Sequence, residues 1–293
     1  MVITVPATSA NLGPGFDTLG LAINLRNEVE ITPAVSREVV IEGEGAEILR
    51  RARRNYFVEI FEETYRELTK KEPKFKIHFR NRIPISRGLG SSSAAIIGAI
   101  KGAYEIAGVP LKREKLISLA LKYEPHPDNI TPAAVGGFCT AKVKRDRVYF
   151  LKKFIPTTLK AVVVIPNRPI STARSREALK EEYKLRDVVA NISSTAMITA
   201  AFFSERFEML KYVVEDRVHQ EERMKAVPEL FKVREIALSN GALMATLSGS
   251  GSTYFCLAYR DDAYQIRDAL ATTFREFRVR VYHFDNYGVK VYN

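Results

Sequence analysis

Cysteine is nearly absent from this chain: among 293 residues only Cys139 and Cys256 occur. Both lie in apolar, strand-like runs, so buried free thiols are expected, with neither a disulfide nor a structural metal. No apolar run approaches the ~20 residues that span a bilayer, and Met1 to Pro6 lacks the basic and then apolar regions of a signal peptide. These absences point to a cytoplasmic protein without a membrane partner. Glutamine occurs only twice, at Gln220 and Gln265, beside abundant Lys, Arg and Glu. That balance resembles a thermophile's composition.

What is present is the material of a folded protein, with 46% hydrophobic residues and a length suited to one large or two ordinary domains. The net charge is +11, from 45 Lys and Arg against 34 Asp and Glu. Such an excess suits nucleic acid, an anionic membrane or an anionic small substrate. Its distribution favours solvated surface charge, because Arg50, Arg51, Arg53 and Arg54 are followed by Glu59, Glu62 and Glu63. Nor do basic and aromatic residues alternate as on a nucleotide-stacking surface. No nucleic-acid partner is expected.

Strand patterns cover Ile3 to Val5, Leu19 to Ile31, Val39 to Ile41 and Phe75 to Phe79, with a helical pattern over Asn55 to Lys70. An apolar helix follows at Ala94 to Ala107 and a second at Arg113 to Tyr123. A proline-rich loop is expected from Glu124 to Pro132, then strands at Gly137 to Val143 and Arg147 to Leu151. The second half opens on a strong strand, Leu159 to Ile165, followed by a long helical stretch from Ser175 to about Glu222. Later strands fall at Ala242 to Leu247, Thr253 to Ala258 and Val279 to Phe284, with helices at Glu229 to Ser239 and Ala263 to Phe274. The pattern predicts an α+β protein whose second half is a four-stranded sheet with helices on one face. The boundary is placed at 154/155.

The stretch Pro84-Ile85-Ser86-Arg87-Gly88-Leu89-Gly90-Ser91-Ser92-Ser93-Ala94 follows a strand and opens a helix. Backbone N–H groups and the positive end of the helix can converge there on a phosphate. Gly88 and Gly90 permit close approach or positive φ, and the serines add hydroxyls. No lysine follows Gly90, which excludes a Walker loop, and Ser93 stands where a dinucleotide fingerprint needs Gly or Ala. The competing reading of this loop, taken alone, is a tight turn with an N-cap.

Pro84 to Ala94 resembles the second signature of the GHMP kinases. Pro6-Ala7-Thr8-Ser9-Ala10-Asn11-Leu12-Gly13-Pro14-Gly15-Phe16-Asp17 is similar to the first signature in the form of the homoserine kinase branch, and Leu247 to Thr253 to the third. His126 to Ala133 with Gly136 and Gly137, Ile170 to Thr172 with Arg176, and His219-Gln220 with Arg223 agree. Two departures are Pro125, where that branch commonly carries Gly, and Ser252, where it commonly carries Pro.

The resemblance implies an N-terminal domain over 1–154 like the second domain of ribosomal protein S5, a ferredoxin-like domain over 155–293, and a ligand cleft between them. It implies ATP and Mg²⁺, L-homoserine as the phosphate acceptor, and a homodimer by family habit. Asn55, Pro84 to Ala94, Thr172, Gly249, Ser250 and Gly251 would meet the nucleotide, and Ser92 and Glu124 the metal. Asp17 and Asn129 would hold the substrate's amino group, with Asn11 near the hydroxyl, and Arg176 and Arg223 its carboxylate, for which the arginine fork is suited. Asn129, Arg176 and Asp128 would stand at the reacting centre, with Asp128 not assigned as a base. For His126 and His219, hydrogen bonding or loop structure is expected in place of acid–base work. Another kinase of this family, and an RNA-binding or regulatory protein on the same fold, are the competing readings.

Overall fold

The computed structural model describes residues 1–292 apart from the side chains of Thr172 and Ala173. The first half builds a sheet in which Val2–Ala10 pairs antiparallel with Leu19–Pro33, and the latter with Phe75–Asn81. Glu38–Gly43 adds in parallel at that edge. The start of Leu19–Pro33 also pairs with Phe138–Lys144, which in turn pairs with Arg147–Lys153. Helix Ser91–Ile106 packs on the first strand and against helix Tyr56–Thr69. Its apolar run is buried on nearly every side, which explains why it shows little amphipathic period.

The second half forms a four-stranded antiparallel sheet in the order Arg278–Tyr282, Leu159–Ile165, Tyr254–Tyr259, Met244–Leu247. All seven residues of Leu159–Ile165 are buried. Val162 and Val164 enter the core under helices Glu229–Ser239 and Arg260–Thr273. Leu159, Ala161, Val163 and Ile165 enter the core of the first half. Apart from Lys160, whose ammonium donates to Thr157 O at 2.7 Å, the strand is apolar on both faces, and each buried Val, Leu or Ile contributes about 1.5–3 kcal/mol. The sheet therefore has helices on one face, as expected, and the first half on the other. Cys139 and Cys256 are free, buried thiols, pushed up to about 12 by desolvation.

Two pieces of 155–293 pack on the first sheet. Phe202, near the end of helix Leu185–Phe203, stacks on Phe138 at 3.9 Å. The last strand, Lys290–Tyr292, pairs antiparallel with Val2 to Thr4. The approach to that strand is clasped by Arg26, whose guanidinium pairs with Asp285 and donates to the carbonyls of Gly288 at 2.7 Å and Thr4 at 2.8 Å.

Two expectations are corrected. Glu124 to Pro132 is not all loop: Pro127–Val135 is a helix. Pro127 sits in its first turn, where no N–H is needed. The C-terminal carbonyls are taken up by cations, Ala134 O by Arg113 at 3.1 Å and Val135 O by Lys152. The long helix from Ser175 is instead broken into Thr172–Glu177, Leu185–Phe203, Leu210–Val213 and Gln220–Met224. Glu205 at φ 59° stops the second of these. Asp216 starts the last by accepting from the N–H groups of Val218, His219 and Gln220.

Candidate active site

The second half of the chain sets the polarity of the glycine- and serine-rich loop. Ser86 O accepts from Ile170 N at 3.0 Å, Arg87 O from Thr253 N at 3.0 Å and Gly88 O from the Ser248 hydroxyl at 2.6 Å. Leu89 O accepts from Thr8 N at 3.1 Å and Gly90 O from Ala94 N at 2.9 Å. Five successive carbonyls are thus held elsewhere, and the polar groups left to a ligand are amides and hydroxyls. Helix Ser91–Ile106 begins here, so its first-turn N–H groups and dipole add to the same anion site. Gly88 and Gly90 lie at φ +77° and +67°, and a Cβ would overlap Ser248 O at the first and Thr8 Oγ1 at the second. Neither position tolerates a side chain.

Beside the loop lies a cavity of about 340 Å³. Its polar lining includes Ser91 to Ser93, Glu124, Asn129, Gly249 and Ser250, and its apolar lining Leu49, Tyr56, Phe57, Phe79 and Ile85. The apolar residues suit an aromatic base, and of them the sequence reading named only Ile85 as a site residue, because the others come from separate elements. Asn55 lines the cavity and caps helix Tyr56–Thr69 through Oδ1, which accepts from Val58 N at 3.2 Å. Ala94 and Gly251 do not line it. Ala94 is buried in the helix and Gly251 N bonds to Ser248 O at 2.9 Å. The Arg87 guanidinium reaches the second half, donating to Pro166 O and Asn167 Oδ1, each at 3.2 Å. The side chain of Thr172 lies outside the described residues.

The other polar residues join the cavity lining through Glu124. Arg176 donates to both Asp17 oxygens, at 3.0 and 2.7 Å. His126 links this pair to the cavity, with Nδ1 2.8 Å from Glu124 Oε1 and Nε2 3.7 Å from Asp17 Oδ2. The hydrogen bond to Glu124 holds the imidazole above its usual range. Phe16, part of the first signature but given no role there, receives Arg176 at 5.0 Å and Arg223 at 5.1 Å over its ring. Asn11 spends its amide on the loop, accepting from Asp17 N at 3.0 Å and donating to Gly249 O at 3.1 Å. Asn129 Oδ1 accepts from the Thr8 hydroxyl at 2.7 Å, so its NH₂ end is the one left for a ligand.

Two buried charges stand out. Arg223 is 6% exposed, and among the described residues its hydrogen bonds reach only Ser175 O at 3.3 Å, Gly249 O at 3.1 Å and His219 Nδ1 at 3.4 Å. Burial, then the like charge of Arg176, pushes it down to about 10. Asp128 is 4% exposed. Burial, then the charge of Asp17, pushes its carboxyl up to about 7.

Two lobes sharing a core, with an anion loop pinned between them, define a small-molecule kinase. Comparison with known proteins gives the particular one. The family profile described as GHMP kinases N terminal domain matches residues 55–137, and that described as GHMP kinases C terminal matches 200–276. A homoserine kinase from Nautilia profundicola is 69% identical over 293 residues, covering 100% of both chains. One from Nitratiruptor sp. is 55% identical over 289 residues, 99% of each. The crystal structure of homoserine kinase from Cytophaga hutchinsonii superposes with a TM-score of 0.88 at 26% identity, over 100% of this chain and 97% of that one. The chain belongs to the GHMP kinase family, among its homoserine kinases, and uses ATP.

Proposed function

We propose that the protein transfers the γ-phosphoryl group of ATP to the side-chain hydroxyl of L-homoserine, giving O-phospho-L-homoserine and ADP on the route to threonine. The observation that carries the substrate is the state of Arg223: a buried guanidinium bonded to carbonyls and a histidine, beside a carboxylate that already has its own arginine. A zwitterionic amino acid supplies what is missing. Its carboxylate fits between Arg223 and Arg176, and its ammonium fits Asp17. The free NH₂ of Asn129 suits the substrate hydroxyl or a phosphate oxygen better than an ammonium, because two donors cannot bond. Phosphoryl transfer passes through a loose transition state, so alignment and charge neutralisation supply most of the catalysis. The nucleotide takes the 340 Å³ cavity, base toward Tyr56 and Phe79, phosphates on Gly88 to Ser93.

Mg²⁺ fits this arrangement. Ser92 and Glu124 put two hard oxygen donors on the cavity wall, and among the described residues no cluster of three or more His, Cys, Asp or Glu could hold a metal alone. An ion that keeps water and takes phosphate oxygens needs no more. When bound, it would neutralise charge on the polyphosphate. Glu124→Gln is expected to raise the Mg²⁺ concentration for half-maximal activity roughly ten-fold, read from a titration at saturating ATP.

The substrate assignment is tested by coupled ADP release over a panel of alcohols. L-Homoserine is expected to be turned over, and mevalonate, sugars and shikimate not. In Arg223→Lys, which keeps the charge and loses the fork, the KM for homoserine should rise roughly ten-fold with the KM for ATP unchanged. Turnover of another alcohol in place of homoserine would refute the substrate and leave the family intact.

A further inference from the structure

The cluster contains one buried imidazole that phosphoryl transfer does not use. His219 is 1% exposed and precedes the short helix Gln220–Met224 that carries Arg223. Its Nε2 faces two acceptors, Gly13 O at 2.8 Å and Asp216 Oδ2 at 3.6 Å. Its Nδ1 faces Arg223 Nη1 at 3.4 Å. An arginine N–H only donates. The proton is therefore on Nε2, given to Gly13 O, and the Nδ1 lone pair accepts from the guanidinium. The Phe16 ring lies 5.0 Å from the imidazole, on the same loop as Gly13 and Asp17.

We infer that His219 is a positioning residue for the substrate carboxylate: a neutral imidazole that ties Arg223 to the loop holding Asp17. The inference rests on the reading of Arg223 given above. Without the Nδ1 acceptor, the guanidinium keeps its bonds to Ser175 O and Gly249 O but loses its third anchor, and its distance from Asp17 is no longer fixed. Protonation has the same effect, because a second N–H would point at a cation. The charged groups facing the ring are Asp216 and Arg223, with Asp17 further off; burial holds the imidazole below its usual range, the carboxylates oppose this and Arg223 adds to it.

The test is steady-state kinetics of His219→Gln, His219→Asn and Arg223→Lys, with thermal melts to establish folding. Gln can place an amide N–H near Gly13 O and leaves Arg223 without an acceptor, whereas Asn puts an oxygen near the Nδ1 position. His219→Gln is expected to raise the KM for homoserine roughly ten-fold with kcat and the KM for ATP within about two-fold. His219→Asn should fall between it and the parent. In the parent the KM for homoserine should climb toward acid pH, and in His219→Gln that climb should vanish, while any limb due to Asp128 is common to both. A wild-type KM in His219→Gln, an Asn variant as impaired as the Gln one, or an equal rise in the KM for ATP would overturn the inference. If Arg223→Lys also left homoserine binding unchanged, the substrate-carboxylate reading itself would fall; a rise in Arg223→Lys alone would remove only the role of His219.

Discussion

Gly88→Ala should leave a folded protein that no longer turns over ATP at a useful rate. At φ +77° an alanine is strained by about 1–3 kcal/mol. Strain is the smaller part of the effect. The new methyl group would overlap the carbonyl oxygen of Ser248 and crowd the backbone of Gly251, and Ser248 also holds Gly88 O through its hydroxyl. Neither neighbour is a flexible side chain, so the phosphate loop itself must move, turning its amides away from the anion. Losing one such donor costs about 10²–10³ in rate, so kcat/KM for ATP should drop by at least roughly a hundred-fold. Kinetics with calorimetry of nucleotide binding would show it. Gly108→Ala is the control: its φ is +70° with nothing within 4 Å of the added carbon, so it carries strain alone and should leave ATP kinetics unchanged.

Asp128→Asn should make the ligand-free protein more stable at alkaline pH and less active at every pH. The carboxyl is pushed up to about 7 by burial, with Asp17 adding and His126 opposing. Its folded value is raised, so the folded state holds a proton that the unfolded chain releases near 4. Between those values the stability of the parent falls as pH rises; above about 8 the penalty is complete, and below about 4 it is absent. Three units correspond to about 4 kcal/mol, an upper figure because the site relaxes. Thermal melts should show the Asp128→Asn variant gaining on the parent from about pH 4 to about pH 8, with the difference constant beyond. Equal stabilities at the alkaline end would show that the carboxylate is already compensated. The protein thus keeps a destabilising acid beside its substrate site, and an arriving ammonium would relieve it.

The glycine- and serine-rich loop and the helix it opens were legible because their pattern is local: glycines, hydroxyls and an apolar run within eleven consecutive residues. Most strands were legible for the same reason, since Leu159 to Ile165 announces burial on both faces through a run that is apolar at every position but Lys160. Glu124 to Pro132 misled because proline density suggests loop, while Pro127 occupies the one helical turn that proline suits and the carbonyls at the other end are capped by Arg113 and Lys152 from elsewhere. The helical period after Ser175 carried no sign that Asp216 would cap a fresh start, as its partners are backbone amides. The same holds for the wall formed by Tyr56, Phe57 and Phe79, for Phe16 under two guanidinium groups, and for the hand-over from Glu124 through His126 to Asp17. Each is a meeting of residues from distant segments. The resemblance named most of the polar partners, but it did not say that Asn11 would be consumed by Asp17 N and Gly249 O or that Arg87 would strap the two halves together.

The return of Lys290–Tyr292 to the side of Val2 to Thr4 bears on how the fold is completed. Until that partner arrives, the flank of Val2–Ala10 is an open edge of the kind that invites wrong pairing. Closing it joins segments from opposite parts of the sequence, a non-local contact of the kind that forms slowly, and the Arg26 clasp on Asp285 holds the closed edge in place.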